Sequence, residues 1–345
     1  MKYIGNKTRL LDFIDSAMRA SAIPTTGTFV DLFGGTGSVG KYFKAKGYKI
    51  ISNDIMRYSY LAQYVNVYLN KMPDFAKISS TGIDGVLNVL NATNVRSRGY
   101  VYDNFAPGGA HARQYFSDDN AMRIDAIRDQ IENWWTGGKL SVDEYYVLLF
   151  ALIDAADFVA NISGTYGAYL KIWRSMALKP LCLKAPTIFD NHQNNEIYQQ
   201  DANSLIGNLS GRVLYLDPPY NQRQYATNFH VLETLAVWDK QMLRGKTGQR
   251  DYNDKKSEYC QKTKAVAALA NLISNARFEY IVLSYNNEGI IPRQDILKIL
   301  TGVGTVEEYV ADYRRFRTER DNENRHYKDC DDKVQEHLYI VKVSK

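Results

Sequence analysis

One short stretch constrains this chain more than any other. Gly35-Thr36-Gly37-Ser38-Val39-Gly40, a G-x-G-x-x-G, stands between the apolar run Thr28–Phe33 and a helical run Ser38–Lys46. A Gly47 stop and a second strand at Tyr48–Asn53 follow. Strand, glycine turn, helix, strand is a βαβ unit, and it commits the fold to a parallel sheet. Asp54 lies about 20 residues after the first glycine, where a carboxylate accepts hydrogen bonds from ribose hydroxyls. Taken alone, the pattern spells a dinucleotide site. Asp31 argues otherwise, because its carboxylate stands beside the helix N-terminus where a pyrophosphate would have to sit. A ligand carrying an ammonium and a sulfonium would be attracted there instead, so S-adenosylmethionine is the expected cofactor.

At 345 residues the chain is long enough for one large domain with an insertion, or for two domains. A helix is expected over Lys7–Ala20. From Tyr58 to Asn191 the pattern changes to helices separated by polar loops. The clearest begins near Ser117, with Asp118 and Asp119 favoured by the macrodipole, and runs through Ile124, Ile127 and Ile131 to Trp134. Strands return at Gly211–Tyr215, Tyr280–Ser284, Val306–Tyr313 and His337–Val343, the last two flanking a charged loop, Arg314–Lys333. An α/β sheet domain, residues 1–57 and 190–345, is thus split by a helical insertion, 58–189.

Several classes are excluded. Cys182, Cys260 and Cys330 are far apart and the five histidines show no ligand spacing, so neither a metal nor a disulfide framework is expected. The longest apolar stretch, Tyr145–Ala160, is interrupted by Asp154 and Asp157 and is too short to span a bilayer. It reads as a buried helix. The N-terminal residues have no hydrophobic signal core, so a cytoplasmic protein with no membrane partner is expected.

A second constellation, Asp217-Pro218-Pro219-Tyr220, directly follows an apolar strand. Two prolines fix φ twice and leave carbonyls without N–H groups of their own, a rigid set of acceptors. Such a set suits an amine donor. An exocyclic base amine has its lone pair delocalised into the ring; accepting its two hydrogens on Asp217 and the Pro218 carbonyl would localise that pair. The base must be flipped from its duplex to reach such a pocket, and Tyr220 offers an aromatic face in place of the lost stacking.

At these residues the sequence resembles a family. Tyr3-Ile4-Gly5-Asn6-Lys7, Asp31-Leu32-Phe33-Gly34-Gly35-Thr36-Gly37 and Asp217-Pro218-Pro219-Tyr220 look like the three signature motifs of the Dam-type DNA adenine-N6 methyltransferases, in alpha-group order. The likeness is closest to the FokI-type methylases, whose segments are also resembled at residues 115–118, 124–128, 221–225 and 283–289. FokI-type enzymes often fuse two methylase units; one is seen here. The resemblance implies a Rossmann-like S-adenosylmethionine-dependent methyltransferase fold with a mostly parallel sheet, a C-terminal antiparallel strand pair and a helical target-recognition insertion. It implies that Tyr3 and Lys7 touch the cofactor, that Phe33, Gly35, Thr36, Gly37 and Ser38 join Asp31 around its methionine end, and that Asp54 holds the ribose. Asp201 with Ala202 would meet the adenine ring, and Asp217 would lie between cofactor and target. The implied function is site-specific adenine-N6 methylation of double-stranded DNA in a restriction-modification system, with S-adenosylhomocysteine as product and a cognate restriction endonuclease as partner. Cytosine or RNA as target remains the first alternative, although an Asp in the first motif position favours adenine by that resemblance. The second is a non-catalytic DNA-binding regulator.

Two segments suit a polyanion. Ala160–Phe189 has no Asp or Glu and interleaves Tyr166, Tyr169 and Trp173 with Lys171, Arg174, Lys179 and Lys184. This reads either as a phosphate-facing surface with stacking groups or as a helix with core aromatics and solvated lysines. Residues 239–264 hold eight Lys/Arg, Lys246 and Arg250 among them, against four Asp/Glu. With Gly245 and Gly248 they read as a mobile basic DNA-facing loop, or as a merely solvated one. Gln222, Arg223 and Tyr225 continue from the catalytic motif, within reach of a flipped base or its phosphates. The 26 tyrosines, twice the 13 phenylalanines, are in keeping with such surfaces.

Overall fold

The computed structural model describes residues 7–93, 97–314 and 333–344. Tyr3 and the charged loop between the last two strands lie outside them. Seven strands form one sheet: β1 (Thr28–Asp31), β2 (Lys49–Asn53), β3 (Glu196–Tyr198), β4 (Ser210–Leu216), β5 (Arg277–Asn286), β6 (Gly304–Arg314) and β7 (Lys333–Val343). Their order is β3-β2-β1-β4-β5-β7-β6. The first five are parallel; β7 runs antiparallel to both β5 and β6. The expected α/β architecture, with its C-terminal antiparallel pair, is present. The chain also forms β3, which was not expected: three half-buried residues at the sheet edge carry no alternation to read.

Helices cover both faces of the sheet. Phe29, Ile50, Val213, Tyr215 and Val282 point to the layer formed by helices Leu11–Ala20 and Ser38–Ala45, while Val30, Ile51, Leu214, Leu216 and Ile281 point to Ala265–Asn275 and Arg293–Thr301. Burial on both faces is why β4 reads as an unbroken apolar run. Each fully buried aliphatic side chain in it contributes roughly 1.5–3 kcal/mol.

A third core holds the helical insertion. Asp118–Thr136 starts on a Ser117 cap, as the sequence indicates, and Val142–Phe158 starts on a Ser141/Glu144 capping box and is the buried apolar helix expected. These helices pack with residues that follow Asp217-Pro218-Pro219-Tyr220: Phe229, Val231, Leu232 and Leu235 share their core. No helix among the described residues is long and apolar enough to cross a membrane.

Candidate active site

The strand order reverses between β1 and β4, so the loops leaving their C-terminal ends diverge and open a crevice. Asp31 ends β1 and Asp217 directly follows β4. The crevice has two arms that meet at Asp217. The inner arm is lined by Lys7, Asp31, Phe33, Gly35, Thr36 and Ser38. The outer arm, enclosing about 770 Å³ including open solvent, is lined by Asp54, Asp201, Ala202, Pro219 and Tyr225. Residues spread over 218 positions of sequence thus converge on one cleft. Gly37 supports it from behind, with a left-handed φ of 75° at the start of helix Ser38–Ala45 that favours glycine.

The loop is fixed by partners that sequence reasoning missed. Gln63 Nε2 donates to the Gly35 carbonyl (3.0 Å) and Asn66 Nδ2 to the Thr36 carbonyl (3.1 Å). Asn66 sits in a π-type turn, Tyr64–Tyr68, that widens the end of helix Arg57–Gln63. Asp54 accepts from the Gly35 N–H (3.0 Å) and the Met56 N–H (2.8 Å), clamping the loop to the end of β2. No motif announces Gln63 or Asn66, because each acts on a backbone carbonyl distant in sequence.

Carboxylates crowd the cleft. Burial, then Asp217, pushes the Asp31 pKa up to about 8 despite a hydrogen bond from the Gly40 N–H (3.2 Å). Burial raises Asp54 to about 6 against the pull of its two backbone donors. Asp217, whose side chain is 16% exposed, is raised by burial to about 7, with Lys7 opposing and Glu336 adding to the rise. Lys7 Nζ lies 3.1 Å from Asp217 and 2.5 Å from Glu336, and these two carboxylates overcome the effect of burial to hold it well above its ordinary value. Around the inner arm, among the described residues, Lys7 alone faces Asp31, Asp217 and Glu336, so this end of the site is short of positive charge. An ammonium and a sulfonium fit this donor set; a pyrophosphate does not.

A strap, residues 253–260, covers the outer arm. Gln224 and Ser257 exchange two hydrogen bonds (Nε2 to carbonyl 3.0 Å, backbone N–H to Oε1 2.8 Å), and Tyr259 packs edge-on against Phe33. Lys255 and Lys256 from this strap line the cleft. Pro218 is buried behind the motif, Tyr220 is half-buried, and Gln222 and Arg223 are exposed on the loop that follows.

The expected DNA-facing residues do not all reach a surface. Ala160–Phe189 is irregular apart from a single 3-10 stretch, Ser175–Leu178, and is not a helix. Lys171 is exposed and Tyr169 half-buried. Arg174 donates to the Ile162 carbonyl (2.6 Å). Tyr166 is a correction: it is fully buried, its hydroxyl on Asp157 (3.0 Å), and offers no face to a base. Arg250 is another, since it is buried and paired with Asp239 at 2.9 Å. Lys246 is exposed, but its loop is tethered: Arg113 donates to the carbonyls of Gly245 (3.0 Å) and Lys246 (3.1 Å), and Tyr115 to that of Thr247 (3.1 Å).

Comparison with known proteins places the chain in a family. Residues 3–299 match the family model described as D12 class N6 adenine-specific DNA methyltransferase. The chain is 40% identical over 331 residues to the Type II methyltransferase M.NlaIII of Neisseria lactamica, covering 95% of this chain and 96% of that one. It is 39% identical over 328 residues to the Type II methyltransferase M.FokI of Planomicrobium okeanokoites, and there it spans 94% of its own length but 50% of the relative's. The Type II methyltransferase M.CviAII of Paramecium bursaria Chlorella virus 1 is 34% identical, with 92% and 93% covered.

Proposed function

The chain belongs to the D12 class N6 adenine-specific DNA methyltransferase family, and from that premise we propose that it methylates the exocyclic amine of adenine in a specific duplex sequence, in the Dam-type alpha-group manner. The observation that carries this reading is the meeting of Asp31, Asp54 and Asp217 in one cleft at the sheet's switch point. When bound, S-adenosylmethionine supplies a methyl group on a sulfonium. Asp31 attracts the cofactor's positive charge, and Asp54 offers its remaining lone pairs to ribose hydroxyls. Asp201 and Ala202 flank the adenine ring.

Asp217 and the Pro218 carbonyl accept the two hydrogens of the flipped amine and return its lone pair to the nitrogen. Tyr220 and Tyr225 supply the apolar faces that replace base stacking. No residue bonds covalently to the base, and alignment of amine with methyl supplies most of the rate. Exposed Lys171, Gln222, Arg223 and Lys246 hold the duplex, with Arg174 and Tyr169 behind them. A cognate restriction endonuclease fits the relatives' Type II designation.

The test uses labelled cofactor and unmodified genomic DNA, digested to nucleosides after reaction. Label in N6-methyladenine is expected, and Asp217→Ala should reduce it more than a hundredfold while leaving the fold intact. Label in methylcytosine, or only in RNA offered in parallel, would sink the reading. DNA binding without any label transfer by the unaltered protein would point to a non-catalytic regulator, and methylation retained in the Asp217 variant would remove Asp217 from the mechanism.

A further inference from the structure

Glu336 belongs to none of the motifs, yet it sits at the chemical centre. It is 1% exposed on β7, the strand inserted between β5 and β6. Its Oε1 accepts from Lys7 Nζ (2.5 Å) and from the Ser284 hydroxyl on β5. Among the described residues its Oε2 has no hydrogen-bond partner. A buried carboxylate in this condition is costly, and a fold without a use for it gains by replacing it.

The geometry gives it a use. Lys7 touches both Glu336 and Asp217, and lies nearer to Glu336. Without Glu336 the lysine would settle on Asp217 alone and occupy the carboxylate that must accept from the target amine. We propose that Glu336 is a positioning residue that draws Lys7 aside, so that Asp217 remains available to take the proton that the amine sheds.

The step balances. As the nitrogen lone pair forms the N–C bond, the C–S bond breaks and its electron pair stays on sulfur. The N–H bond then breaks, its pair stays on nitrogen, and the proton forms an O–H bond on Asp217. Asp217 is faced by Lys7 from the N-terminal turn, Glu336 from β7, Tyr215 from β4 and Asp31 from β1. Among these, Glu336 is the acid whose charge raises Asp217, and the two are joined through Lys7. An acceptor titrating near neutrality is suited to proton transfer at the working pH.

This inference rests on the reading of Asp217 as the amine's acceptor, so its test has a readout apart from methylation. Asp217 is titrated by carbon NMR of aspartate-labelled protein, with Asp217→Asn identifying the resonance, in wild type and Glu336→Gln. The midpoint should fall by half a unit or more in E336Q, since a repelling charge is lost and Lys7 pairs fully with Asp217. Single-turnover methylation should follow, its acid limb moving the same way and the ratio of rates at pH 6 and pH 8.5 rising about threefold. An unchanged midpoint overturns the proposal and leaves Glu336 a structural brace. A shifted midpoint in a protein that never labels adenine upholds the charge relationship and overturns the proposed function instead. Should E336Q fail to fold, Ser284→Ala frees Glu336 for Lys7 alone, and the Asp217 midpoint should rise; no rise overturns the idea equally.

Discussion

In the absence of a bound cation the Asp31 carboxyl keeps its proton at neutral pH, because burial and then Asp217 push it up to about 8. A positively charged cofactor favours the ionised form, so binding below pH 8 must expel a proton. Cofactor affinity should therefore fall as pH drops from 8, by up to tenfold per unit, and level off above it. Calorimetry at pH 7 in two buffers of different ionisation enthalpy should report close to one proton released; no release, or an affinity flat from pH 6 to 9, would refute this assignment. The same group sets a trend in stability. Its folded pKa exceeds the unfolded value of about 3.9, so its contribution is full below that value and is lost as pH rises through 8. Cofactor should accordingly raise Tm more at pH 8.5 than at pH 6.

Among the elements, the glycine turn tolerates little added bulk at Gly34. A Cβ on Gly34 would lie 2.4 Å from Ser52 Oγ on β2 and 3.0 Å from Gln63 Nε2, the side chain that holds the loop. Gly34→Ala should cost about 1–3 kcal/mol in denaturant unfolding and weaken cofactor binding at least tenfold. Unchanged cofactor affinity would show that the loop does not need this close approach. The turn, its strands and the Asp-Pro-Pro-Tyr motif were legible because local chemistry dictates them: φ-permissive glycines, twin prolines, apolar runs buried on both sides. Ala160–Phe189 was not. Its aromatics are spaced for helix or surface alike, and Tyr166 goes inside because a buried Asp157 awaits its hydroxyl. Glu336 was equally illegible, since a lone acid in an apolar strand acquires meaning only from a lysine 329 positions earlier.

Across the whole molecule, the insertion and the segment after the Asp-Pro-Pro-Tyr motif share one core and are joined by hydrogen bonds. Arg113, buried in the insertion, donates to the carbonyls of Asn104, Gly245 and Lys246. Removing its side chain leaves three carbonyls short of a donor, at about 1–3 kcal/mol for each that stays buried. Arg113→Ala should speed hydrogen exchange in residues 244–249 and weaken DNA binding severalfold, with cofactor affinity unaltered. Exchange as slow as in the parent would mean the loop is held by other contacts.

The junction of Lys7 with Glu336 has a temporal side. A ribosome delivers the glycine loop first, the Asp-Pro-Pro-Tyr motif later and β7 after both, so a nascent chain can assemble the sheet's parallel half well before the charge cluster at its switch point closes. The charge cluster is thereby the part of the cleft that closes late: a chain cut before Glu336 still carries Asp31 and Asp217 at the ends of their strands but lacks the carboxylate that meets Lys7.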